Sequence, residues 1–277
     1  MKKLINRQPG NVGRWALGLL PFALLLVLYM LASDARLADN PNDKLLPPLN
    51  SFVDAIQRMG FEPSKRSGDY LLWADTLASL QRLGIGVAIS ALAALVVGIG
   101  NGTIPYIRST LSPLVTGLSL VPPMAILPVL FIIFGLGELA KVMLIIIGIT
   151  PFLIRDLQQR ALEIPSEQII KMQTLGANTW QIITRLVWPQ LMPRLISAVR
   201  LSLGPAWLFL IAAEAIAATE GLGYRIFLVR RYLAMDVILP YVVWITLLAF
   251  AIDFLLNRYS HWRYPWFHQQ GFQGGQG

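Results

Sequence analysis

The feature that most limits what this chain can become is a set of long apolar runs, several near the roughly 20 residues a helix needs to cross about 30 Å of hydrocarbon. Hydropathy places six candidate spans at approximately Trp15–Leu31, Leu77–Gly100, Leu111–Phe134, Leu139–Ile154, Leu195–Ala218 and Val237–Leu256. The expected class is an all-α polytopic membrane protein. Only 14% of residues are charged, against about 25% in a soluble domain. There is no cysteine, so disulfides and thiol chemistry are excluded. The formal charge is +8, but cytoplasmic loops of membrane proteins gather Lys and Arg in any case. No basic run with interleaved aromatics points to nucleic acid.

The first run follows Lys2, Lys3, Arg7 and Arg14. Its long apolar core and the lack of a small-x-small cleavage site favour a retained span over a signal peptide. Counting Lys and Arg then orients the chain. The segment Ser33–Tyr70 balances its basic residues with Asp34, Asp39, Asp43, Asp54, Glu62 and Asp69, which suits the outside. The loop after the fourth span holds Arg155, Arg160, Lys171, Arg185 and Arg194, which suits the cytoplasm, as do both termini. The expected division is 1–14, cytoplasmic N-terminus; 15–31, first span; 32–76, outer loop; 77–256, core with five spans and an inner loop at 155–194; and 257–277, cytoplasmic tail. Arg225, Arg230 and Arg231 depart from this count in an outer loop, either as structural residues or as attractants for an anionic solute or docking partner. In the outer loop Phe52, Val53, Ile56 and Met59 would form the apolar face of an amphipathic helix packed on the bundle, or against an external binding protein.

The inner loop contains a polar, helix-patterned insert from Ile164 to Pro193. Pro165 suits a first helical turn, and Glu167 places negative charge near a helix N-terminus. Ile169, Ile170, Met172 and Leu175 recur one turn apart, with Lys171 and Gln173 between them. Gly176 sits where a left-handed residue would end the helix. Asn178 with Gln181 forms a capping-box-like start to a second helix, which Pro189 and Pro193 would stop. The alternative is an amphipathic hairpin lying on lipid.

Three blocks in order resemble the permeases of ABC importers. The family's inner-loop signature reads EAA, three residues, Gly, nine residues, I-x-L-P. Gly176 matches the glycine and Leu186-Val187-Trp188-Pro189 the ending, while Ile170-Lys171-Met172 departs from EAA. The run Val121–Gly148 is similar to the P-P-x-A-x-x-P…F-G-x-G-E…K segment of the nitrate/sulfonate/taurine branch, and Ile196–Ile226 to its A-E…GLGY element. The resemblance covers Leu77 to Leu256. It implies a type I permease, paired as a homodimer or with a related subunit, above two separate ATPase subunits. A solute-binding protein outside the bacterial inner membrane would deliver a small nitrogen or sulfur compound. The coupling helix, Pro165–Gly176, would contact the ATPase, with Glu167, Ile170, Lys171, Met172, Leu175, Gly176, Ala177, Leu186 and Pro189 at or beside that contact. No G-x-x-x-x-G-K-[ST] is present, so the chain itself should bind no nucleotide cofactor in that way, and ATP would be used by its partners. It should not be an enzyme.

Residues within spans are candidates for transport, because charge there is costly. Glu214 is expected to face a cavity or another helix. Pro122, Pro123 and Pro128 would free carbonyls toward a path, and Gly135 and Gly137 would hinge the following turn. Structural roles are expected for Asp253 with Arg258, for Arg82 snorkelling or pairing with Asp75, and for Glu138 and Lys141 at the membrane interface. Gly84, Gly86, Gly98 and Gly100 would allow close helix packing. His261 and His268 do not make a metal site, and the tail from Gln269 is Gln/Gly-rich with no expected fold. The competing reading is an ion-coupled secondary transporter, for which no internal repeat is visible. A membrane enzyme would need a convergent catalytic set that the sequence does not show.

Overall fold

The computed structural model describes residues 10–40, 43–64 and 68–267. Lys2, Lys3, Arg7, His268 and the Gln/Gly-rich tail fall outside the described residues. The helices in chain order are α1 (Asn11–Asp39), α2 (Leu49–Gly60), α3 (Leu71–Thr103), α4 (Pro105–Leu120), α5 (Pro123–Phe134), α6 (Glu138–Leu162), α7 (Ser166–Thr174), α8 (Thr179–Ile182), α9 (Trp188–Ala217), α10 (Leu222–Arg230) and α11 (Met235–Arg263). A π-helical turn, Ile183–Val187, joins α8 to α9. Contacts divide the chain into two units, one made of the residues up to Tyr70 with Val229–Tyr241, the other of Leu71–Leu228 with the residues from Val242 onward.

In the first unit, α1 is apolar on all sides and largely exposed, the pattern of a helix whose solvent is lipid. Its C-terminal half is tied to the following segment. The Tyr29 hydroxyl donates to the Pro47 carbonyl at 2.7 Å and the Ser33 hydroxyl to that of Leu46 at 2.8 Å. Arg36 pairs with Asp43. Helix α2 presents Phe52, Ala55 and Met59 inward, and Phe52 meets Tyr29 at 5.8 Å between ring centroids. Val53 and Ile56 do not share that face, being 64% and 42% exposed. The inward stripe is spaced three and four residues apart and uses the small Ala55 at its centre, which selection of large apolar residues overlooks.

The second unit is built around α6, which packs on α3, α4, α5 and α9. Small residues at every fourth position of α3 make this possible. Gly86, Ser90, Ala94, Gly98 and Gly102 form one buried stripe, the arrangement that lets membrane helices approach closely. A Cβ on Gly86 would lie 2.8 Å from Ile145, on Gly98 2.8 Å from Leu157, and on Gly102 2.2 Å from Ala161. Gly84 meets nothing within 4 Å and Gly100 makes only ordinary contact, so these two do not share the packing role expected of them. Gly148 of α6 similarly receives Phe209 of α9, whose ring atoms lie 2.4 Å from where its Cβ would be.

Two proline-rich regions depart from expectation in opposite senses. The run Leu111–Phe134 is not one span but α4 and α5, bent by 97° at Val121–Pro122. Two consecutive prolines remove two donors, and both Val121 and Pro122 are extended. Pro189 and Pro193, by contrast, do not stop the second loop helix. The π turn shifts the hydrogen-bond register, with the Trp188 amide donating to the Ile183 carbonyl, and Pro189 falls in the first turn of α9 where no donor is needed. Thr179–Ala217 therefore forms a continuous helical rod of 39 residues. Among the described residues, that rod, α1, α3 and α11 are each long and apolar enough to cross a membrane, and the α4–α5 pair passes only as a broken span. The run expected as the fourth span lies in α6, which carries Glu138, Lys141, Arg155 and Asp156.

Candidate functional site

Three features of the second unit carry chemistry or contact potential. The first is the loop that leaves α6 and returns through α8. Helix α7 buries none of its residues. Glu167, Ile170, Lys171, Leu175, Gly176 and Pro189 are exposed, while Met172, Ala177 and Leu186 are half-buried. Gly176 has φ +80°, a left-handed conformation that favours glycine, and the Ala177 amide reaches back to the Met172 carbonyl at 3.0 Å. Asn178 and Gln181 cap α8 reciprocally, at 2.8 and 2.9 Å. Two side-chain contacts close the loop at its base. Arg194 donates to Glu163 at 2.8 Å and Gln190 to Gln168 at 2.9 Å. Partial burial pushes the Glu163 carboxyl up, but the guanidinium groups of Arg160 and Arg194 outweigh it and hold the group below the usual carboxylate range. The result is a short, well-anchored polar projection whose tip carries Leu175 at 77% exposure. Ile170, 55% exposed on the same element, accompanies it, and two large apolar groups held out on an anchored polar element offer a contact surface to a complementary groove.

The second feature is a cleft of about 630 Å³ bounded by α4, α5, α6 and α9. The α4–α5 bend supplies one wall with Ser119, Val121 and Pro123. Arg155, Gln158 and Gln159 of α6 face it from another. The Arg155 guanidinium donates to the Ser119 hydroxyl at 2.8 Å. Gln158 accepts from Ser112 at 2.8 Å and from the buried Asn101 at 3.2 Å, so α3, α4 and α6 meet on one side-chain carbonyl. Of the three prolines singled out in the sequence, Pro123 lines this cleft, and Pro122 and Pro128 do not.

The third feature lies at the opposite end of α6 and was not foreseen as a unit. Glu214, fully buried, accepts from Ser79 at 2.8 and 2.9 Å, from Arg82 at 2.7 Å and from the Gly223 amide at 2.9 Å. Arg82 also forks onto Glu138, which Lys141 approaches at 2.6 Å. Asp75 accepts from the Gly221 amide at 2.9 Å and from Arg225 at 2.7 and 3.2 Å. The Leu222 amide donates to Ser79 at 2.9 Å. Three successive amides of the Gly221-Leu222-Gly223 turn are thus received by three side chains, and the three cations Arg82, Lys141 and Arg225 face four carboxylates, the fourth being Glu220 at 3.9 Å from Arg82.

This arrangement corrects several expectations. Arg82 pairs with Glu214 and Glu138, not with Asp75, because Arg225 occupies Asp75. Glu138 and Lys141 belong to the network and not simply to the interface, and Lys141 is buried. Arg225, by contrast, agrees with the structural role that is one of its two readings, since it pairs with Asp75. Asp253 pairs with Arg200 across α9 and α11, at 2.8 Å, in place of Arg258. Glu214 sits between helices, away from the cleft. A signal was available in the sequence, since Asp75, Ser79 and Arg82 recur at four- and three-residue spacing on one helix face. Among the described residues no group of three or more His, Asp or Glu could hold a metal.

Comparison with known proteins follows the same outline. The family model described as "Binding-protein-dependent transport system inner membrane component" matches residues 68–266. The taurine transport system permease protein TauC of Escherichia coli (strain K12) is 33% identical over 198 residues, 72% of each chain. The bicarbonate transport system permease protein CmpB of Synechocystis sp. is 28% identical over 231 residues, 82% of this chain and 79% of that one. Among solved structures, the inward-facing MetNI methionine ABC transporter superposes with a TM-score of 0.56 at 21% identity, covering 69% of this chain and 96% of its own.

Proposed function

Because the chain belongs to the binding-protein-dependent transport system inner membrane component family, and is therefore a permease subunit of an ABC importer in the inner membrane, we propose that α7 and the Gly176 turn are its docking element for an ATPase subunit. Permeases of this family work with ATPase and binding-protein partners, and hydrolysis takes place on the ATPases. In this reading the inner loop and both termini face the cytoplasm, two permease subunits pair around the path, and the chain itself holds no nucleotide. The solute is small and carries an anionic group, as the taurine and bicarbonate of the relatives suggest, with nitrate and sulfonates in the same class. The secondary-transporter reading is not favoured by the family assignment.

The observation that carries the proposal is the anchored projection of α7, with Ile170 and Leu175 exposed on an element whose base is pinned by Glu163–Arg194 and Gln168–Gln190. A push on such an element is not absorbed locally. It passes through α8 and the π turn into the rod of 39 residues, roughly 58 Å long at 1.5 Å per residue. That rod ends at the Glu214 network, so ATPase closure at one end bears on the opposite end of the bundle.

Gly176→Arg tests the docking role. Its Cβ meets nothing within 4 Å, and the left-handed backbone costs about 1 kcal/mol for a non-glycine residue. Folding and membrane insertion should therefore survive. ATPase stimulation by the loaded binding protein and uptake in proteoliposomes should both fall by at least an order of magnitude. Normal uptake by this variant would overturn the assignment.

A further inference from the structure

The cleft under the α4–α5 bend contains an arginine whose charge is not balanced in the way that its neighbours' are. Arg160 and Arg194 reach Glu163, and Arg200 reaches Asp253. Arg108 caps the carbonyls of Asn101 and Gly102 at the end of α3, at 2.8 Å each. Arg155 has no carboxylate within ion-pair distance among the described residues, and its partner is the neutral Ser119 hydroxyl. A guanidinium carries five N–H donors in a planar fork, so most of that fork remains for another acceptor. Asp156 also lines the cleft, but lies 3.7 Å from Arg160. Asp156 thus shares its charge with Arg160, whereas Arg155 has no such counter-charge among the described carboxylates.

We propose that this cleft is a selectivity site for small oxyanions, with Arg155 as the residue that contacts the anionic group of the passing solute. The claim rests on the uptake reading for its direction of use, and names the chemistry the path admits. Three properties support it. The planar fork matches carboxylate, sulfonate or carbonate oxygens pairwise, as a lysine would not. Ser119 holds the guanidinium from one side while itself donating to the Thr116 carbonyl at 2.8 Å, so the hydroxyl fixes the arginine without neutralising it. Beside the apolar side chains of Val121, Pro123, Phe152 and Phe209, the cleft is lined by Thr116 and Gln159, whose hydroxyl and amide groups are further donors for an oxyanion held by the guanidinium.

An arginine kept near the cytoplasm only for orientation would make a different prediction, since it would need neither the cleft nor the fork. The chain contains no cysteine, so Thr116→Cys, on the cleft wall, places one reporter thiol in each copy of this subunit, and the parent transporter without it gives the background from partner subunits. Its modification rates by a sulfonate-bearing and a trimethylammonium-bearing methanethiosulfonate are compared with those of free cysteine. The anionic-to-cationic ratio should exceed the free-thiol ratio roughly tenfold, as a nearby unit charge in an intermediate dielectric dictates. Arg155→Gln should remove that preference, Arg155→Lys should keep it, and Asp156→Asn should raise it. Taurine and bicarbonate should each slow modification in the parent, and not in Arg155→Gln, whereas glycerol should slow it in neither. An unchanged ratio in Arg155→Gln, or equal slowing by glycerol, would overturn the proposal. None of these readings depends on ATPase docking, so failure here and failure of Gly176→Arg are separately visible.

Discussion

Asp75 and Arg225 show how a residue's meaning depends on partners the sequence cannot place. The two are 150 positions apart, and Arg82 and Glu214 are 132 apart. Local pattern points to Glu214 as a costly charge, and leaves Arg82 to snorkel or to pair with Asp75 seven positions away. Only the packed bundle shows that Asp75 is taken by Arg225, leaving Arg82 to Glu214 and Glu138. Removing one member of such a pair should be worse than removing both, because an uncompensated buried charge is the expensive species. Arg225→Gln should therefore destabilise the detergent-solubilised protein by about 3–5 kcal/mol in thermal unfolding, and Asp75→Asn with Arg225→Gln should regain most of it. Strict additivity of the two single changes would show that the ion pair is not coupled. Gly221 belongs to the same account. Its φ of +126° and the 2.6 Å from its Cβ position to the Glu214 carboxylate leave room for glycine alone.

At the scale of elements, the legible parts were those set by local chemistry. The left-handed Gly176, the Asn178–Gln181 capping box and the presence, though not the bounds, of the long apolar helices α1, α3 and α11 all follow from residues within a few positions of one another. The illegible parts were set by hydrogen-bond register and by interhelical distance. Proline alone does not say whether a helix ends or continues. Pro122-Pro123 breaks one, while a π turn carries another past Pro189 and through Pro193. Glycine alone does not say whether a neighbour is close, since Gly84 and Gly86 differ completely in what faces them. The α3–α6 contact offers a direct check. Gly102→Ala places its Cβ 2.2 Å from that of Ala161, so the helices must separate, and overpacking of this kind costs about 1–3 kcal/mol. Adding Ala161→Gly should restore most of the lost thermal stability, whereas Gly84→Ala should change little. Equal effects of Gly84→Ala and Gly102→Ala would refute the small-residue seam.

At the scale of the molecule, the second unit has two chemically distinct ends. Helix α6 has 25 residues, about 37 Å at 1.5 Å per residue, so Glu138 and Leu162 stand roughly a membrane thickness apart. One end holds the Glu138, Glu214 and Asp75 network, in which the cations are matched by carboxylates. The other, over residues 155–194, holds the five cations Arg155, Arg160, Lys171, Arg185 and Arg194 against the three acids Asp156, Glu163 and Glu167. Positive charge biases the end it occupies toward the cytoplasm. Arg225 had counted against that orientation, but a cation already paired to a buried carboxylate contributes little to the bias, so the proposed topology is strengthened by discounting it. The absence of cysteine makes sidedness measurable one residue at a time. Leu136, 65% exposed in the α5–α6 turn, and Leu175, at the tip of the α7 loop, mark the two ends. With each replaced by cysteine in turn, a membrane-impermeant maleimide should label Leu136→Cys in intact cells, and Leu175→Cys only after the inner membrane is opened. The reverse pattern would invert the orientation and remove α7 from reach of any cytoplasmic ATPase. Labelling of both sites in intact cells would mean instead that α6 does not cross the membrane.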